Sequence, residues 1–78
     1  MTMSKAALDR CKRLVIEPME DPKGAYRMRI QVMDPRLNGR VVEAHISRTR
    51  QDTARIKMHY MTRHRIPSQL VTEPAVET

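Results

Sequence analysis

The chain has 78 residues and a mass of 9.1 kDa, with 15 Lys and Arg against 9 Asp and Glu, so it carries a formal charge of +6. That length admits one domain with a small core, and the absence of Trp and Phe leaves seven Met to share the filling. No apolar run approaches the ~18 residues of a spanning helix, the first residues carry no hydrophobic secretory stretch, and the lone Cys11 excludes an intramolecular disulfide framework, which together point to a cytoplasmic protein.

Residues 1–13 hold Lys5, Arg10, Lys12 and Arg13 against Asp9, a net +3. Ser4 is placed to cap a short helix with Ala7, Leu8 and Cys11 on one side, and the alternative is a basic arm. Leu14 to Glu17 is a short strand with Leu14 and Ile16 inward, ended by Pro18, which has no amide hydrogen to donate to a ladder. Glu20 to Gly24 carries turn chemistry, Pro for a fixed φ and Gly for a positive one.

Tyr26 to Met33 alternates with period two. Tyr26, Met28, Ile30 and Val32 share one face, and Arg27, Arg29 and Gln31 share the other, the pattern of a half-buried strand. Asp34 to Gly39 is a second turn. Val41 to Ser47 alternates again, placing Val42, Ala44 and Ile46 inward and Glu43, His45 and Ser47 outward. An antiparallel meander follows. One register pairs Ile16 with Met28, Leu14 with Ile30 and Glu17 with Arg27. The next pairs Ile30 with Ala44, Val32 with Val42, and Met33 with Val41 on the outer face. A slip by one residue buries arginines.

Thr49-Arg-Gln-Asp52 matches a helix-start pattern with an acid near the positive end of the dipole. Neither Gly nor Pro interrupts the chain from there to Arg65, and Pro67 forces a stop. Ala54, Met58 and Met61 form the stripe that faces the sheet, widened by Ile56 and Tyr60. Arg55, His59 and Arg63 form the opposite stripe. Residues 67–78 hold two prolines, no periodicity and a net charge of −2, and read as a disordered tail. The expected fold is α+β: a three-stranded antiparallel meander in 14–66 packed against one C-terminal helix. With the N-terminal segment 1–13 helical, the order is (α)βββα in two layers.

Functional chemistry is sparse. His59 and His64 are five apart, about 140° around a helix, and do not share a face. No Cys-x-x-Cys or His-x-x-x-His pattern exists, so no metal site is expected. The two glycines sit singly in turns, so no phosphate loop is expected, and no cofactor. Cys11 lies beside no local nucleophile motif. These absences point away from an enzyme. A membrane-surface helix would need the apolar stripe that the sheet already uses.

What remains is charge. Residues 48–66 carry Arg48, Arg50, Arg55, Lys57, Arg63 and Arg65 against Asp52, a net +5, while residues 14–47 are neutral. With His59, these cations resemble a footprint for phosphates. Arg27 and Arg29 on the outer sheet face are further donors, although Glu17 and Glu43 stand ready to neutralise them. No aromatic pair on adjacent strands offers a stacking platform for single-stranded bases. The strand and helix order resembles small sheet-plus-helix DNA-binding modules at the level of architecture alone. The expected function is that of a non-enzymatic nucleic-acid-binding protein, for duplex DNA, acting as a regulator or accessory factor. The alternative is a small phage-type or mobile-element inhibitor docking on a host protein or nucleoprotein complex, anti-CRISPR-like or anti-nuclease in kind. Its warrant is the outer-face spot of Met33 and Val41, which a partner or a second copy in a homodimer would cover.

Overall fold

A computed structural model describes residues 11–74. In chain order it contains β1 (Arg13–Pro18), β2 (Met28–Asp34), a 3-10 turn (Pro35–Leu37), β3 (Arg40–Ser47), α1 (Arg50–His64), a second 3-10 turn (Ser68–Leu70) and β4 (Val71–Thr72). The strands form one sheet in the order β3-β2-β1-β4, and α1 packs against β1, β2 and β3. The α+β class and the helix-on-sheet layering match expectation. Strand number and order do not, because β4 joins the sheet parallel to β1. The N-terminal helix expected from Ser4 lies mostly outside the described residues, and Arg13, its expected last residue, instead opens β1.

The first hairpin keeps the expected phase but slides by two residues. Leu14 pairs with Val32, Ile16 with Ile30, and Glu17 with Arg29 rather than Arg27. The slide preserves faces, so Leu14, Ile16, Ile30 and Val32 are all buried. A wide turn allows it. The Asp21 carboxylate accepts from the amides of Lys23 and Ala25, and Gly24 adopts φ +70°.

The second hairpin changes phase partway. Beside the turn, Met33 pairs with Val41 and Asp34 with Arg40, as expected. A β-bulge at Val42 then adds one residue to β3, so Val32 meets Glu43, Ile30 meets His45 and Met28 meets Ser47. One extra residue exchanges the faces of the rest of the strand. Val42 and Ile46, expected inside, are 38% and 40% exposed, and Ala44 is exposed with them. Glu43, His45 and Ser47 turn to the helix side, and Ser47 is buried.

The helix starts as predicted: Thr49 is the cap, and its hydroxyl accepts from the Asp52 amide at 3.0 Å. The buried face differs. Thr53, Ile56 and Tyr60 face the sheet, whereas Ala54 and Met58 are exposed and Met61 packs only partly against the core. Burying Ile56 and Tyr60 removes more apolar area from water than burying Ala54 and Met58.

The tail from Pro67 is not featureless. Arg65 takes a left-handed conformation, the Ile66 amide bonds the Met61 carbonyl at 2.9 Å, and Leu70 enters the core. Val71 and Thr72 then lie along Leu14 and Val15. Two apolar residues four apart, Ile66 and Leu70, are enough to pin the segment at the otherwise open side of β1. Residues 75–78 lie outside the described residues. The core is Leu14, Ile16, Ile30, Val32, Ile56, Tyr60, Ile66 and Leu70.

Candidate nucleic-acid interface

The rotation of α1 that buries Ile56 and Tyr60 decides where its cations go. At 100° per residue, Arg55, His59 and Arg63 step along the flank immediately beside that buried ridge. This flank looks across at β3, whose phase change has brought Glu43 and His45 to the same side. Between them runs a groove of about 240 Å³. Ile56 and Tyr60 form its apolar base, Arg55, His59 and Arg63 its helix wall, and Glu43 and His45 its sheet wall.

Among the described residues Glu43 is the only carboxylate lining the groove, and both its oxygens are engaged. Oε1 lies 3.4 Å from Arg63 Nη1, and Oε2 accepts from His64 Nε2. The His64 bond is the main cause holding the Glu43 carboxyl below its ordinary value, with the Arg63 charge adding to it. Glu43 is therefore ionised and occupied near neutrality. Lys12 Nζ donates to His64 Nδ1 at 3.1 Å, and an ammonium only donates, so the proton on Nε2 is the one given to Glu43. Burial, and then the Glu43 charge, push the Tyr60 hydroxyl up, so it stays protonated. The Tyr60 ring lies 5.6 Å from that of His59 and 6.2 Å from that of His64.

The expected binding residues do not gather in one place. Arg55, His59 and Arg63 converge on the groove. Arg48 and Arg50 sit exposed at the start of α1, with no ion pair among the described residues. Lys57 points elsewhere, a correction to its expected place with the arginines: its ammonium is bonded to both carboxylate oxygens of Glu73, at 3.0 and 3.2 Å. The start of the tail thus occludes that cation. Arg55 and Arg63 also have intrachain partners, Asp52 at 3.3 Å and Glu43 at 3.4 Å. Their side chains remain 68% and 61% exposed, and ion pairs in water hold little against a competing polyanion.

Arg29 lies on the opposite face of the sheet, bonded to Glu17 at 2.6 Å. Arg27 precedes β2 with its Nε unpaired. Neither joins the groove. Met33 and Val41 do pair on the outer face, where Val41 is exposed. Glu43, His45, Ile56 and Tyr60 are the groove residues that the sequence reading does not place among the expected binding residues. Alternation alone puts His45 on the outer face, and no residue motif marks the bulge that moves it.

Among the described residues no helix is long and apolar enough to cross a membrane, and no cluster of three or more His, Cys, Asp or Glu is placed to hold a metal ion. Compared with protein-family models, curated proteins and solved structures, the chain matches none of them.

Proposed function

We propose that the protein is a small binding module that contacts nucleic-acid phosphates, with duplex DNA as its ligand, in the role of a regulator or accessory DNA-binding protein. The observation that carries this reading is the convergence of Arg55, His59, Arg63 and His45 on one open groove. Guanidinium forks suit phosphate oxygens, and an open groove leaves room for a backbone to run through it. Cations near a helix C-terminus stabilise the dipole, which accounts for Arg63 without a ligand. That explanation fails for Arg48 and Arg50. They stand at the positive end of α1, where their charge opposes helix stability, and a bound anion would relieve the opposition.

The test is fluorescence anisotropy with a labelled short duplex across a salt series. Each phosphate neutralised contributes a slope of roughly −0.9 in log K against log salt, so two to four contacts give about −2 to −4. The Arg55→Gln/Arg63→Gln double variant weakens binding and flattens the slope by about two. Absence of binding at about 50 mM salt, or a slope that the double variant leaves unchanged, overturns the reading.

A second reading is favoured by a different surface. Val41, Val42 and Ile46 are exposed on the far side of the sheet, as a protein-docking inhibitor would require. A single stoichiometric protein partner that stays bound after nuclease treatment, and is lost when Val41→Lys is introduced, would support it.

A further inference from the structure

We propose that β3 is the seam of a homodimer: its free edge pairs antiparallel with β3 of a second copy, centred on Ala44, joining two four-stranded sheets into one. The inference stands apart from the phosphate reading.

Among the described residues β3 is the terminal strand, and nothing pairs with its outer edge. Natural edge strands are guarded by Lys, Pro, charges pointing inward, or bulges that break up the pairing edge. Between Val41 and Ser47 there is no Lys, Arg or Pro, and the one charge that points inward, Glu43, is already held within the chain by Arg63 and His64. The bulge is confined to the turn end, at Val42, and leaves Glu43–Ser47 regular.

The sequence of β3 is complementary to itself. Paired residues in antiparallel strands share a face. With the twofold axis at Ala44, Val42 lies opposite the partner's Ile46 on the outer face, and Glu43 lies opposite the partner's His45 on the helix side. Apolar meets apolar, and a carboxylate meets an imidazole. Both relations occur twice by symmetry, as a closed twofold interface demands. Neighbouring registers lack this match. An axis at Glu43 sets two carboxylates against each other, and an axis at His45 sets Val42 against the partner's Arg48. An axis between residues pairs Glu43 with the partner's Ala44, which point to opposite faces.

The same arrangement gives Val42 and Ile46 apolar neighbours across the seam. Val41, Val42 and Ile46 form an apolar strip along β3, and the partner's equivalent strip continues it across the seam. On the other side His45 lines the groove of each copy, so the two grooves adjoin.

The experiment is sedimentation equilibrium of the full chain, with circular dichroism to confirm that each variant folds. The wild-type mass is twice 9.1 kDa. Ile46→Lys leaves the spectrum unchanged, because Ile46 lies outside the core, and returns the mass to that of one chain. Cross-linking checks the register. In a Cys11→Ser background, Ala44→Cys oxidises to a covalent dimer, whereas Val42→Cys does not, since its own counterpart lies across the axis and about 13 Å away along the strand. A monomeric wild type at concentrations up to about 1 mM, a dimer that survives Ile46→Lys, or cross-linking at position 42 in preference to 44 overturns the proposal.

Discussion

Thr53 shows how one hydroxyl can organise a junction. Its Oγ1 donates to the Thr49 carbonyl at 3.0 Å, which uses its single proton. It therefore accepts from Tyr26 Oη, at 2.9 Å, and from Ser47 Oγ. The end of β3, the approach to β2 and the first turn of α1 meet on that oxygen. Thr53→Val keeps the shape and removes the hub, leaving the buried Ser47 hydroxyl without its partner, so it costs about 1–3 kcal/mol in denaturant unfolding. A loss below about 0.5 kcal/mol would mean the network carries no stability. Glu43 supplies a second test. Its folded value lies below the ordinary 4.5, so its stabilising effect is complete well above that pH and fades as pH falls through the folded value. The melting temperature of wild type drops over that acid window, and that of Glu43→Gln drops less. Asp34, also held low, chiefly by the Arg36 amide, acts equally in both proteins and cancels from the comparison. Parallel profiles would show that the Glu43 contacts contribute nothing.

At the scale of elements, the sequence displays its strands and helix where local chemistry is strong. The Thr49 cap, the Pro67 stop, the Asp34–Gly39 turn and the alternation of β2 are legible because each depends on neighbours in the chain. Two features depend on distant partners and are not legible. The bulge at Val42 leaves no mark in β3, whose alternation of apolar and polar residues points to the opposite face as the inward one. The choice of α1 face turns on Ile56 and Tyr60 meeting the sheet, which the positions of Ala54 and Met58 do not reveal. Both errors bear on the candidate site. The outer-face position assigned to His45 and the central sheet contact assigned to Met58 hide the groove that the true phase creates. The segment after Pro67 is illegible for a related reason: two prolines and no periodicity conceal Leu70, which acts singly. Leu70→Ala costs about 2–4 kcal/mol if β4 and its turn are built into the core as described, measured by thermal or denaturant unfolding. A change near zero would show that the segment beyond Pro67 contributes no burial.

At the scale of the whole molecule, the layout separates charge from apolar surface. The helix side carries the groove with its arginines and histidines. The opposite side carries Val41, Val42 and Ile46 next to the Arg29–Glu17 pair. With eight core residues among those described, the domain has little stability to spare, so cations at the positive end of α1 and apolar groups on an open edge are costly to keep. The proposed ligand contact on one side and the proposed subunit contact at the edge would give each of them a purpose. The central claim is that the helix-side groove receives the polyanion. It is tested most directly by titrating the isotope-labelled full chain with a short DNA duplex at about 50 mM salt and following amide and side-chain resonances by NMR. The account predicts shifts concentrated at His45, Arg55, His59 and Arg63 and extending to Arg48 and Arg50. Shifts confined to Arg27, Arg29 and the outer sheet face, or none at all, would contradict it.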